Sequence, residues 1–475
     1  MGQGISSGTK QSIGVRKSLE CAMQNNFNNV RNTEGDTDNA QRKAHSLNPT
    51  ARSDPCREAD ADAKTLVEKQ EETSPCQPQD SCAARIPLFC CCTDTQTQAY
   101  TSGSLPGRGP DGTAEIYDPE LLAKERRLKY LHFLREKDRY NVKLKLSDFE
   151  FYRTIGAGSF GKVKICKYLK AGDLKPKGRK KSGLGKAYYA CKILTKSEVL
   201  RSNQVEHVIN ERNVLQFVEC PFIVKIFGTA QDQNNLYMFL EYIVGGELFS
   251  YLRKYESFPS PVAKFYAAEV FVAFEYLHSY DLVYRDLKPE NILVDRTGHI
   301  KITDLGFSKH VPENITWTLC GTPDYLAPEI IANKGYGKAV DWYSLGVLIF
   351  EMIAGYTPFY ESDHYKMYER ILANRIQWPS VFDPDAKDLV RKLVTPDLSK
   401  RYGNLSNGPK DISRHKWFRE VDWQKLMDRE IAPPLVPTQS VNEGDTSNFD
   451  EYGETEKAYI GTDQEYEKRE EFVDF

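Results

Sequence analysis

Residues 284–291 read Tyr284-Arg285-Asp286-Leu287-Lys288-Pro289-Glu290-Asn291, and Asp304-Leu305-Gly306 follows within one hairpin's length. This stretch puts one acid, Asp286, where a substrate hydroxyl would need a base. It also puts the amide Asn291 and the second acid Asp304 where metal ions would need oxygen ligands. Upstream, Gly156-Ala157-Gly158-Ser159-Phe160-Gly161-Lys162-Val163 forms a glycine loop followed by a valine, and downstream lies Ala327-Pro328-Glu329. A glycine loop alone reads equally well as an ordinary hairpin. Four motifs in this order and spacing are far more specific.

Outward from these motifs, hydrophobic patterning predicts strands at Phe149–Ile155 and Val163–Tyr168, flanking the glycine loop, and at Ala187–Leu194, carrying Lys192. Gln204–Val218 reads as a helix carrying Glu211, and 222–228 and 236–243 as two further strands. After Gly245 the pattern is mainly helical, over about 247–254, 261–280, 340–355, 364–373 and 385–394. A strand-rich first lobe followed by a helical second lobe is an α+β, bilobal arrangement. Ahead of it, Asp118-Pro119-Glu120 reads as a helix start, with leucines at helical spacing to about Glu136. The expected organisation is a disordered polar extension over 1–115, a helix and linker over 116–148, a catalytic domain over 149–418 and an acidic tail over 419–475.

Composition narrows the setting. The 475 residues carry a net charge of −3 with 40% hydrophobic and 28% charged residues, which is ordinary for a globular protein and gives no nucleic-acid signal. No run of about 18 apolar residues predicts a membrane span. No apolar signal-peptide core follows Met1, so a cytoplasmic, reducing location with free thiols is expected. Seven of the 11 cysteines precede residue 93, and no Cys-x-x-Cys pair suggests a zinc site.

The chemistry follows from residue type. Glycines allow the backbone to approach phosphates closely, with amides pointing at the anion. Lys192, in Ala190-Cys191-Lys192-Ile193, would bind phosphates if paired with Glu211 from the helix. Asp286 is placed to accept a hydroxyl proton, and Lys288 can neutralise charge on a transferred phosphoryl group. Asn291 and Asp304 supply hard oxygen ligands suited to Mg²⁺. Glu329 is expected to pair with the buried Arg401. Asp341 is expected to hold the Tyr-Arg-Asp loop through backbone hydrogen bonds.

At this point the chain, from about Phe149 to Phe475, resembles eukaryotic protein kinases of the family that includes the cyclic-AMP-dependent, cyclic-GMP-dependent and lipid-regulated enzymes. Residues 265–269, Tyr284-Arg285-Asp286, Thr316 to Pro323, His415-Lys416-Trp417-Phe418, 445–450 and the terminal Phe472-Val473-Asp474-Phe475 narrow the resemblance to the cyclic-AMP-dependent branch. The resemblance implies serine/threonine phosphorylation from ATP with Mg²⁺. It gives Ile155, Gly156, Ala157, Gly158, Ser159, Phe160, Gly161, Lys162, Val163, Ala190, Lys192, Glu241, Ile243, Glu247, Leu293, Thr303, Phe449 and Tyr452 to the nucleotide site, with Leu240 as gatekeeper. Glu247, Glu290, Glu351 and Thr322 fall on the substrate side, where the acids would bind arginines in Arg-Arg-x-Ser/Thr proteins. Thr318 matches a phosphorylated threonine, with Arg285, His207 and Lys309 as its cationic partners. Phe472 and Phe475 would dock in a small-lobe pocket, and Trp317 would contact an inhibitory, cyclic-AMP-binding regulatory subunit. The polar segment 1–115 does not suit an apolar cyclic-nucleotide sensor, and the tail halts at Phe475, where lipid-regulated relatives continue.

The chain departs from the family pattern at Leu305, where a Phe is usual, at Asp324, where a Glu is usual, and in a basic insertion with Lys175, Lys177, Arg179, Lys180 and Lys181. That insertion reads as a solvated loop, or as a surface for an acidic partner or membrane. Finally, Met1-Gly2-Gln3-Gly4-Ile5-Ser6 fits a myristoylation pattern at Gly2. Cys90, Cys91 and Cys92 after the apolar stretch 86–89 read as palmitoylation sites or as plain free thiols. Together they lead to an expectation of association with a membrane lipid surface, since one acyl chain alone anchors weakly.

Overall fold

The computed structural model describes residues 119–170, 188–437, 444–452, 468–473 and 475. Gly2, Cys90, Cys91, Cys92 and the basic run at 175–181 lie outside the described residues.

Strands β1 (Phe149–Gly158), β2 (Gly161–Tyr168), β3 (Tyr188–Thr195), β4 (Ile226–Gln231) and β5 (Asn235–Glu241) form an antiparallel sheet in the order β1-β2-β3-β5-β4. Period-two alternation explains how it buries both faces. Leu236, Met238 and Leu240 of β5 join the main core with Ile165 and Ala190, while Tyr237 and Phe239 join Phe149, Cys166, Tyr189 and Cys191 on the opposite face. The helices α1 (Pro119–Tyr140), α2 (Lys196–Arg201) and α3 (Val205–Phe217) complete this lobe. Tyr130 and Phe133 of α1 pack their rings on Phe217 of α3, with centroids 4.7 and 5.2 Å apart.

The large lobe is built on α4 (Leu248–Tyr255), α5 (Ser260–His278), α6 (Pro328–Ile331), α7 (Ala339–Ala354), α8 (His364–Ala373), α9 (Pro384–Leu393), α10 (Lys410–Ser413) and α11 (Trp423–Met427). Helices α5 and α7 are apolar nearly all round and form its centre, as patterning of a buried helix requires. Asp363 and Asp383 cap α8 and α9 by accepting first-turn amides, and Pro384 occupies the first position of α9. Two short ribbons line the cleft: β6 (Leu282–Val283) with β9 (Lys309–His310), and β7 (Ile292–Val294) with β8 (Ile300–Ile302).

Three expectations shift. The helix expected to end near Glu136 runs to Tyr140, and α2 and the two ribbons were not anticipated. The strand expected at 222–228 begins only at Ile226. The buried residues Phe222, Ile223 and Val224 join the other lobe instead: the Val224 amide donates to Ile302 O at 2.9 Å and the Ile302 amide to Phe222 O at 2.8 Å. An apolar run reports burial, not which lobe buries it.

Candidate active site

The glycine loop is a tight hairpin in which Gly158 faces Gly161 and Ser159-Phe160 make the turn. A Cβ on Gly161 would fall 1.9 Å from the Ile193 carbonyl oxygen, so only glycine permits β2 to run this close to β3. The Thr195 amide donates to Phe160 O at 2.9 Å, which ties the hairpin tip to the end of β3.

Lys192, in the middle of β3, sends its ammonium 2.7 and 2.9 Å from the two Glu211 oxygens and 3.2 Å from Asp304 Oδ1. Burial works against the ammonium, but Asp304 and Glu211 outweigh it and hold Lys192 above its usual value. Burial raises Glu211 against the pull of Lys192, while Lys192 draws Asp304 below its usual value. Lys192 and Asp304 thus hold each other in their charged forms. The Asp304 side chain remains 45% exposed, and the chain there has φ 53°, a left-handed conformation that a non-glycine residue keeps only when its surroundings enforce it.

The loop bearing Asp286 is pinned from beneath. Fully buried Asp341, in the first turn of α7, accepts the Tyr284 and Arg285 amides at 2.8 Å each and lies 2.7 Å from His278 Nε2. These bonds hold Arg285 at φ 71°. Asp286 itself is buried, with Oδ2 accepting from Asn291 Nδ2 at 2.8 Å, Oδ1 accepting from the Thr322 hydroxyl at 2.8 Å, and Lys288 Nζ 3.5 Å away. Burial raises the Asp286 carboxyl, against the pull of Lys288, which suits a group that must take up a proton. The Asn291 amide nitrogen is committed to Asp286, so its carbonyl oxygen is the atom left for a ligand. With the half-exposed Asp304 carboxylate, it makes a hard-oxygen donor pair that fits Mg²⁺.

Comparison with known proteins agrees with this geometry. Residues 149–418 match the family described as protein kinase domain. The chain belongs to the protein kinase family. It is 52% identical over 367 residues to cAMP-dependent protein kinase type 3 of Saccharomyces cerevisiae, covering 77% of this chain and 85% of the yeast protein. It is 52% identical over 334 residues to a cAMP-dependent protein kinase catalytic subunit of Arthrobotrys oligospora, covering 70% and 61%. It is 47% identical over 311 residues to the catalytic subunit PRKX of Homo sapiens, covering 66% and 82%. It thus spans about three fifths of the Arthrobotrys protein and more than four fifths of the other two.

Other residues expected at the nucleotide site have these surroundings. Leu240 opposes Ala190 across the β3–β5 ladder, and Glu241, 3.2 Å from Lys301 Nζ, ends β5 at the linker between lobes. The linker joins β7 through Gly245 N to Val294 O (3.0 Å) and Val294 N to Gly246 O (2.9 Å), with Glu247 bridged to Leu293. Ile155 and Ala190 are buried, Val163 and Phe449 pack partly on the core, and Thr303 N donates to Asn291 O at 3.0 Å. Phe449 lies with its ring 5.9 Å from that of Tyr242, and Tyr452 is half-buried near Glu247.

Glu247, Glu290, Glu351 and Asp324 form one acidic neighbourhood. Burial, then Glu290, raises Glu247. Burial, Glu290 and Asp324 push Glu351 up to about 7 against a hydrogen bond from the Tyr325 hydroxyl. Tyr325 was not singled out in the sequence, because a lone tyrosine carries no signal of its partner. Asp324 accepts from Thr357 Oγ1 at 2.9 Å.

Arg285, His207 and Lys309 also come together: burial and then the two cations hold the His207 imidazole below its usual value. Arg285 reaches Tyr336 OH at 3.2 Å, and that hydroxyl donates to the Thr318 carbonyl. Trp317 is 63% exposed. Phe472 and Phe475 are buried, with the Lys196 ammonium 5.9 Å from the Phe472 ring centroid and the Arg212 guanidinium 5.5 Å from that of Phe475. Buried Arg401 pairs with Glu329, with NH2 2.9 Å from Oε2. Leu305 is fully buried in the main core. Among the described residues no helix is long and apolar enough to cross a membrane.

Proposed function

We propose that this protein kinase transfers the γ-phosphoryl group of ATP to Ser/Thr in arginine-rich protein substrates, as a cyclic-AMP-dependent catalytic subunit. The observation that carries the reading is the convergence of Lys192–Glu211, Asp304, Asn291 and Lys288 around Asp286. In this reading Asp286 accepts the substrate hydroxyl proton, with Asn291 and Thr322 fixing its carboxylate. Lys288 stands beside the transferred group, and Lys192, locked by Glu211, holds the nucleotide phosphates. Asn291 and Asp304 would hold Mg²⁺, which when bound offsets phosphate charge. Glu247, Glu290 and Glu351 supply the negative field for substrate arginines. Phosphorylation of Thr318 would place nearly two negative charges among Arg285, His207 and Lys309 and order the loop.

The chain is tested with ATP, magnesium and an Arg-Arg-x-Ser peptide. Each arginine changed to alanine should raise KM about tenfold or more. Equal KM for the arginine-free peptide would remove the substrate assignment. The relatives' names support a cyclic-AMP-binding partner, and a subunit that co-purifies with the chain and is released by cyclic AMP is expected. Lipidation at Gly2, with Cys90, Cys91 and Cys92 as a second anchor, rests on sequence. Equal partitioning of parent and Gly2→Ala into the soluble fraction would remove that anchor.

A further inference from the structure

The tail segment 444–452 lies across the mouth of the cleft, and its two ends of attachment differ in kind. Toward the linker it is held by Asn448 Nδ2 donating to Val244 O at 3.0 Å, by the Tyr242 hydroxyl donating to Asp445 O, and by close packing of Gly246. A Cβ on Gly246 would meet Asn448 O at 2.4 Å. Toward the small lobe Gly444 packs against the Tyr188 ring of β3, where a Cβ would fall 2.7 Å from it, and Arg153 supplies side-chain hydrogen bonds from β1. Arg153 NH2 donates to Phe449 O at 3.1 Å and to Asp450 O at 2.6 Å.

The position of Arg153 on β1 gives this contact a consequence. The β1–β2 register is broken between Phe151 and Thr154 and again between Thr154 and Gly156. Arg153 therefore sits in the irregular stretch from which the glycine hairpin springs, and its Nε donates to Thr154 O at 3.3 Å. Such an interruption leaves residues out of the ladder and lets the strand bend. One guanidinium thus joins the root of the hairpin to the consecutive carbonyls of Phe449 and Asp450. It also lies in the electrostatic neighbourhood of Tyr452, with Glu247 and Asp450.

We propose that Arg153 is a positioning residue for the nucleotide, fastening the tail segment to the hairpin root so that Phe449 and the glycine hairpin close over the nucleotide as one unit. This rests on the kinase reading above. The bland alternative is a surface arginine that only adds stability. The two differ in what they move: a stabilising contact changes melting, whereas a clasp changes how long and how tightly nucleotide is held.

The test is ATP binding by calorimetry on the full chain, beside steady-state kinetics with the Arg-Arg-x-Ser peptide. Arg153→Ala should weaken ATP binding and raise KM for ATP about tenfold, with kcat changing much less. Arg153→Lys, which keeps one donor in place, should recover part of the loss. Because the clasp acts through Phe449, Arg153→Ala combined with Phe449→Ala should be little worse than Phe449→Ala alone. ATP affinity of Arg153→Ala within about twofold of the parent, or fully additive effects in the double variant, would overturn the proposal. Calorimetry reads this without turnover. A parent chain that binds ATP but transfers nothing to peptide would instead remove the kinase assignment and leave the clasp standing.

Discussion

The loop carrying Asp286 and the hairpin carrying Gly161 face each other across the cleft and are secured differently. The loop is tied by buried side chains: Asp341 accepts two of its amides, and Asn291 and Thr322 both donate to Asp286. The hairpin is tied mainly backbone to backbone, through the β1–β2 and β2–β3 ladders and Thr195 N to Phe160 O. Side-chain ties inside a core fix atoms that must be in place before reaction. Backbone ties at an exposed tip leave a cover that can move. Under the proposed function, this difference would place chemistry in the large lobe and nucleotide access in the small one.

The comparison breaks most visibly at Asp341. Asp341→Ala strands two buried amides, each costing about 1–3 kcal/mol, so both melting temperature and kcat should fall steeply. A variant with parental kcat would show that the loop does not need this support. Next is Glu329→Gln, which leaves Arg401 buried without its charge partner. Loss of about 3–5 kcal/mol in denaturant unfolding is expected, with the KM for ATP unchanged in the folded fraction.

On the hairpin side, Gly161→Ala must push against the Ile193 carbonyl. It should cost about 1–3 kcal/mol of stability and raise KM for ATP more than it lowers kcat. An equal fall in kcat would blur the division between the two regions. The smallest effect concerns pH. Glu351, held up to about 7, is protonated below that pH and then offers no charge to a substrate arginine. The ratio kcat/KM for an arginine peptide should therefore rise as pH increases through about 7. Tyr325→Phe removes a hydrogen bond to its carboxylate and should move that rise to higher pH.

The floor of the cleft was more legible in the sequence than its cover, for a physical reason. Asp286, Lys288 and Asn291 lie within one short loop, so their spacing encodes their geometry. Glu329 with Arg401 was also expected as an ion pair, and Asp341 beneath the loop as an acceptor of its backbone amides. The cover depends on contacts to backbone carbonyls. Arg153 binds Phe449 O and Asp450 O, and carbonyls have no residue type to announce them. The Phe222–Val224 run failed similarly: its burial was readable, but its pairing with Ile302 was set by tertiary packing.

The most direct test of the account is phosphoryl transfer by Asp286→Ala to the Arg-Arg-x-Ser peptide at saturating ATP, with ATP binding measured on the same protein. Loss of about 10²–10⁴-fold in kcat with ATP binding retained is the predicted result. Turnover within about threefold of the parent would contradict the assignment of Asp286 as the proton acceptor and, with it, the kinase mechanism derived from this cleft.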